Sequence, residues 1–366
     1  MEQEILDIIN NIKPLDQAAL KAAEERQAKL AKPPGSLGKL EEISIQLAGI
    51  TGKLNNNLDR RRIIVLCADN GIIEEGVSCT PRSVTAAQAV NMTKRLTGMS
   101  SMAKGFGDDV QVVDMGIADP YECQNIIDYS IAKGTKNFLK EDAMTREQCV
   151  EAICIGAKLA KLAKEQHVDI IGVGEMGIGN TSSSAAVLSV LTGLDIPTVT
   201  GRGGGLTDEA FENKKRVLET AIIHREPDKN DVIDVLSKIG GFDLAAMCGV
   251  FLGCALYRIP AVIDGIISVV GALCAAKLCP LAGQYMFPSH KSFEPGYLYA
   301  LKAIDPRMDP FLDLGMRLGE GSGCVPAFEV MQAACYMMND MASFNEDSGI
   351  NDDYLDEIRK GDKFSV

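Results

Sequence analysis

The sequence reads as an α/β protein: a mostly parallel sheet with helices on both faces, plus a small helical part built from both chain ends. Three observations lead there. Short apolar runs of strand length recur at residues 63–68, 110–115, 169–173, 198–200 and 261–263. Runs with helical periodicity separate them, and this alternation marks βαβ units whose parallel strands are buried on both faces. Both ends of the chain, by contrast, carry helical spacing and no strand pattern.

Each element has its own local reason. Residues 15–30 place apolar side chains at helical spacing, and Pro33-Pro34-Gly35 ends that helix. A second helix follows over 37–50. The strand at 63–68 opens the sheet, and helices are expected at 84–96, 146–166, 181–191 and 208–224, between the remaining strands. After about Glu294 the chain turns helical again, most clearly over 325–342. The expected division is therefore a small helical domain from 1–55 plus 294–366 and a large α/β domain from 56–293. A loop near 312–323 returns to the crevice of the large domain. Residues 345–366 are polar and read as a tail.

Composition narrows the function. With 37 Lys+Arg against 50 Asp+Glu the formal charge of the 366-residue chain is −13, which argues against a nucleic-acid or anionic-membrane partner. The N-terminus lacks the basic and apolar regions of a signal peptide. The most apolar stretch, 244–276, is interrupted by Arg258, Pro260 and Asp264, so no piece approaches the roughly 20 residues of a membrane span. A cytoplasmic protein is expected. Eleven cysteines without a C-x-x-C read as reduced, buried hydrophobes, apart from Cys79 in a polar loop. Three histidines leave little material for a His-based metal site.

Glycine-rich turns carry the chemistry, and in open α/β sheets such turns at strand ends converge on one crevice. The first runs from Cys67 to Ser78. In the second, Gly172, Gly174 and Gly177 formally match G-x-G-x-x-G, with Asp195 where a ribose-binding acid would stand. An NAD-dependent oxidoreductase would follow from that match alone. Glu175, however, would set a carboxylate beside a pyrophosphate, and Asn180-Thr181-Ser182 look like N-cap residues of a later helix start. The better reading is a loop from Gly177 to Thr181 that holds a single phosphate on backbone N–H groups and a helix N-terminus. The turn at 200–206 contributes Gly203 and Gly205, with Lys214 further on as a candidate phosphate cation. In the fourth turn Glu320 stands between Gly319 and Gly321, where partial desolvation would raise its pKa toward the range of a general base. A loop at 288–297 offers His290, Lys291, Ser292 and Glu294. His290 has no G-x-S-x-G elbow to serve.

Together these segments resemble the nicotinate-nucleotide–dimethylbenzimidazole phosphoribosyltransferase family. The resemblance rests on KPPGSLGKLE (32–41), ADNGIIEEGVS (68–78), SVTAAQAVNM (83–92), GVGEMGIGNT (172–181), GRGGGL (201–206), DGIIS (264–268), SHKSFEPGY (289–297) and LDLGMRLGEGSG (312–323). It implies a Rossmann-like sheet, a homodimer, and transfer of phosphoribose from nicotinate mononucleotide to a benzimidazole nitrogen, with no cofactor and no metal. It further implies Glu320 as the base, Glu175 as a second carboxylate at the ribose, and Gly177, Gly179, Asn180, Thr181, Gly203, Gly205, Lys214 and Ser292 around the phosphoribosyl group. Gln88 and Leu318 would line the acceptor pocket. Three positions depart from the family pattern: Asn70 where a His is common, Thr80 where an aromatic residue is common, and Arg82 where Gln is common. They leave a purine or a phenol open as alternative acceptors. A non-catalytic nucleotide-binding subunit is the remaining alternative.

Overall fold

The computed structural model describes residues 2–344 and 348–353, so most of the expected tail lies outside the described residues. In chain order the elements are α1 (Glu2–Asn11), α2 (Gln17–Lys29), α3 (Lys39–Thr51), β1 (Arg61–Ala68), α4 (Val84–Thr93), α5 (Gly98–Phe106), β2 (Asp109–Gly116), β3 (Ile126–Asp128), α6 (Arg146–Glu165), β4 (Ile170–Met176), α7 (Asn180–Thr192), α8 (Ile196–Val199), α9 (Asp208–Arg225), α10 (Val232–Ile239), α11 (Phe242–Tyr257), β5 (Ala261–Ile263), α12 (Ile266–Leu278), β6 (Met286–Pro288), α13 (Tyr297–Ile304) and α14 (Cys324–Asp340). Among the described residues, one compact unit joins the chain through Pro14 to Arg60–Ala327; a second joins Leu15–Asp59 to the described residues from Phe328 on.

The first unit holds one six-stranded sheet in the order β3-β2-β1-β4-β5-β6. Every neighbouring pair is parallel. This is the doubly wound order, and it reverses direction between β1 and β4, where the switch-point crevice forms. Burial follows the prediction for parallel strands: β1 is buried from Ile63 to Ala68 and β4 from Ile170 to Glu175. The apolar stretch 244–276 folds as α11, β5 and α12, two helices buried almost all round as sheet-covering elements must be. Among the described residues no helix is long and apolar enough to cross a membrane.

One expected strand is wrong. Residues 198–200 belong to the short helix α8 and its C-cap: the Asp195 side chain caps the Thr198 N–H, and Pro197 in the first turn excludes a ladder partner. Two strands, β3 and β6, were not foreseen. Each has three residues and pairs at a sheet edge.

In the second unit Ala23, Ala48 and Met338 form a small apolar core with Ile45 and Leu54 packed on it. Arg26 reaches the Ser343 hydroxyl and the Met341 carbonyl, the latter at 2.7 Å. The Leu30–Ser343 bridge joins the same segments.

Candidate active site

A cleft of about 550 Å³ opens at the carboxyl ends of the strands. The turns after β1, β4, β5 and β6 all contribute to it, with Gln88 from α4, Gly203 and Gly204 from the glycine-rich turn, and Arg317 to Glu320 from the returning loop. Of the residues singled out in the sequence, Glu320, Glu175, Gly177, Gly179, Asn180, Thr181, Gly203, Ser292, Gln88 and Leu318 line it. Gly205 and Lys214 do not.

Glu320 occupies an unusual backbone. Gly319, Glu320 and Gly321 have φ of +84°, +63° and +86°, three consecutive left-handed residues. A side chain in that region costs roughly 1–2 kcal/mol, so the fold holds Glu320 there against a local preference. Gly174 of β4 makes room: a Cβ on it would lie 2.6 Å from the Glu320 carbonyl oxygen. Burial pushes the Glu320 carboxyl above its ordinary range, while Thr97 and the Met99 N–H, 3.3 Å from Oε2 at the start of α5, favour the anion without offsetting the desolvation.

Glu175 is the penultimate residue of β4, and the Glu320 N–H donates to its carboxylate. Asn180 Nδ2 donates to Glu175 Oε2 and, at 3.1 Å, to Asp243 Oδ2. Burial and the neighbouring Asp243 push Glu175 up to about 8, and burial raises Asp243 to about 6. Near neutral pH the cleft therefore keeps a proton on this carboxylate pair.

The Gly177–Thr181 turn leads directly into α7. Gly179 precedes the helix with φ +98° and no side-chain cap. Asn180 and Ser182 are therefore helical residues, and N-cap chemistry does not explain them. The N–H groups of Gly179 and Thr181 meet no acceptor among the described residues, which leaves donors at the helix's positive end facing the cleft. Lys214 lies behind this turn, buried, its Nζ 3.0 Å from Thr181 Oγ1 and 3.2 Å from the Gly201 carbonyl. Burial lowers it to about 8, with Glu294 opposing.

Sequence reading missed Asp243, Asp264 and Arg317. Asp264 and Arg317 line the cleft, and Asp264 accepts from Gly321 N–H at 2.9 Å and Gly323 N–H at 2.7 Å. His290 lies buried 3.8 Å from Asp264, with Ser289 Oγ 3.1 Å from its Nδ1. Asp264 was visible only as part of a matching segment, DGIIS, because its partners lie some 60 residues away. Asp195 caps α8 and does not line the cleft, which removes the ribose acid of a dinucleotide fingerprint. Of the three departing positions Thr80 lines the cleft, Arg82 pairs with Asp119 at 2.7 Å, and buried Asn70 accepts from Ser183 Oγ at 2.6 Å. Among the described residues no group of three or more His, Cys, Asp or Glu is placed to hold a metal. Cys79 is exposed, Cys123 and Cys154 are half-buried, and the other cysteines are buried, all as free thiols.

A family model described as a phosphoribosyltransferase matches residues 12–349. The nicotinate-nucleotide–dimethylbenzimidazole phosphoribosyltransferase of Clostridium perfringens (strain 13 / Type A) is 48% identical over 360 residues, 98% of this chain and 99% of that protein. The protein of the same name from Clostridium tetani is 47% identical over 354 residues, covering 97% of each. A crystal structure of this phosphoribosyltransferase from Thermus thermophilus superposes with a TM-score of 0.85 at 32% identity, over 91% of this chain and 98% of that one. The switch-point cleft, its paired carboxylates and these full-length matches agree: the chain belongs to the nicotinate-nucleotide–dimethylbenzimidazole phosphoribosyltransferase family.

Proposed function

We propose that the chain transfers the phosphoribosyl group of nicotinate mononucleotide to 5,6-dimethylbenzimidazole or a related aromatic base, in cobamide lower-ligand assembly. The observation that carries this reading is the pairing of Glu320 and Glu175 in one cleft with the α7 N-terminus. The acceptor nitrogen attacks C1′, the bond from C1′ to the pyridinium nitrogen breaks, and nicotinate leaves with that electron pair. The proton on the acceptor's other nitrogen goes to Glu320. A well-placed general base contributes roughly 10²–10⁴-fold. Glu175, raised to about 8, keeps its proton near neutral pH and suits a hydrogen bond to a ribose hydroxyl.

The 5′-phosphate is assigned to the Gly177–Thr181 turn, with Asn180, Gly203 and Ser292 shaping its surroundings. Lys214 acts one step back, through Thr181. The aromatic acceptor is assigned to the space between Gln88 and Leu318. Two copies of the chain are taken as the working unit, in the cytoplasm; light scattering checks the dimer.

Nicotinate mononucleotide and dimethylbenzimidazole incubated with the protein should give α-ribazole 5′-phosphate and free nicotinate, separable by chromatography. Donor binding without product would instead mark a non-catalytic subunit. Offering purines and phenols in competition identifies the preferred acceptor. Glu320→Gln should lose roughly 10²–10⁴-fold in kcat; wild-type turnover in that variant removes the assigned base.

A further inference from the structure

We propose that Asp264 is a positioning residue that sets Glu320 in register with Glu175. The proposal rests on the reading of Glu320 as the base. Asp264 follows β5 at the start of α12, and its two carboxylate oxygens are taken up by separate backbone donors of the returning loop: Gly321 N–H on Oδ2 at 2.9 Å and Gly323 N–H on Oδ1 at 2.7 Å. One donor is the last residue of the left-handed turn of Gly319, Glu320 and Gly321, and the other lies two residues beyond it. A conformation with a side chain at φ +63° needs such an external hold, because the residue would otherwise relax toward negative φ.

The other end of the clamp is fixed to the second carboxylate's strand. The Asp264 N–H donates to Ser268 Oγ at 3.1 Å, and Ser268 Oγ donates to the Val173 carbonyl at 2.9 Å, two residues before Glu175. A continuous chain of bonds thus runs from β4 through Ser268 and Asp264 to the turn that carries Glu320. Around it the space is filled: a Cβ on Gly323 would lie 2.0 Å from His290 Nδ1. Both oxygens of Asp264 point at N–H donors, so an amide in its place would turn one NH₂ against an N–H and release half of the clamp. None of these bonds involves the Gly177–Thr181 turn. Loosening the clamp should therefore misplace the base and leave the phosphate contacts alone.

The experiment compares Asp264→Asn, Glu320→Gln and the double variant in steady-state transfer from nicotinate mononucleotide. Misplacement of a catalytic group by about 1 Å costs on the order of 10²-fold, so Asp264→Asn should lose roughly that in kcat, with donor KM changed less than about twofold. In the Glu320→Gln background the same substitution should cost almost nothing, since residues acting as a unit are not additive. Unchanged kcat in Asp264→Asn, a parallel rise in donor KM, or losses that multiply in the double variant each overturn the proposal. Full activity of Glu320→Gln would instead overturn the assignment of the base itself. If Asp264→Asn does not fold, Ser268→Ala loosens the same link more mildly. It should lower kcat several-fold at constant donor KM and show the same non-additivity; wild-type kcat there overturns the proposal equally.

Discussion

At the residue scale, Glu320 combines the two costs that mark a functional side chain: a buried carboxylate and a left-handed backbone. The backbone cost can be isolated. Glu320→Gly and Glu320→Ala both delete the carboxylate, but only Ala keeps a Cβ at φ +63°. The Gly variant should be the more stable by roughly 1 kcal/mol, read as a higher Tm in calorimetry, with both variants equally inactive. Glu175 offers a pH test. Folded, it holds its proton to about pH 8, whereas an unfolded chain releases it near 4.5. The folded state therefore binds more protons across that window, and the group lowers stability as pH rises through it. Asp243 acts in the same direction between 3.8 and about 6. Glu175→Gln imitates the protonated acid. Its Tm should match wild type below pH 4.5, rise above it progressively toward pH 8, and keep a constant lead beyond, worth on the order of a few kcal/mol. A lead that shrinks as pH rises contradicts the raised pKa. Glu320 was legible in the sequence because glycines flank it, and Glu175 because it stands inside the glycine-rich turn after a strand. Asp243 and Asp264 were not, because their partners come from distant turns and nothing local distinguishes either from a solvated acid.

At the element scale, legibility followed amphipathic pattern: α11 and α12, long but apolar almost all round, left no helical periodicity to read. β1, β2, β4 and β5 were found from their apolar runs, and α2, α3, α6, α7, α9 and α14 from periodicity, each within a few residues. β3 and β6 are three-residue edge strands whose existence depends on a neighbour already in place, so no pattern within them could announce it. At α8 the apolar run suggested a strand, but Asp195 and Pro197 supplied a helix start that outweighed it. Helices α6 and α11 pack backbone against backbone. A Cβ on Gly249 would stand 1.9 Å from the Ile153 carbonyl oxygen, and one on Gly156 2.0 Å from that of Ala246. Both obstacles are backbone, so the helices could accept a methyl only by separating. Gly249→Ala should therefore cost about 3 kcal/mol, the upper part of the range for overpacking, seen as a lower urea midpoint or as loss of soluble protein. A midpoint within error of wild type shows that α6 and α11 move apart freely. Because this interface lies away from the cleft residues, the folded fraction should keep its donor KM.

At the scale of the whole molecule, charge is the property that reaches function. The chain carries −13, and its cleft shares that sign: Glu175, Asp264, Glu294 and Glu320 line it against Arg317. Protonation of Glu175 softens this balance without reversing it. On the proposed assignment, a donor with a phosphate and a carboxylate would approach through a repulsive field and be held at short range by the α7 N-terminus and by Lys214 acting through Thr181. The two effects differ in reach. The Debye length shrinks from about 30 Å at 0.01 M salt to about 8 Å at 0.15 M, so added salt removes the distant repulsion first and leaves buried contacts nearly intact. Donor KM should therefore fall, by about twofold, as NaCl rises over that range, whereas the KM of an uncharged aromatic acceptor stays flat. This is the reverse of the behaviour of an enzyme that steers its anionic substrate with a basic surface, whose kcat/KM declines with salt. Steady-state kinetics at several NaCl concentrations, varying donor and acceptor separately, decide it. A donor KM that climbs with salt would mean that Arg317 and Lys214 outweigh the rest of the molecule at the distances that matter. Lys214→Met would then abolish much of the salt dependence, whereas under long-range repulsion it raises donor KM at every salt concentration and leaves the slope unchanged.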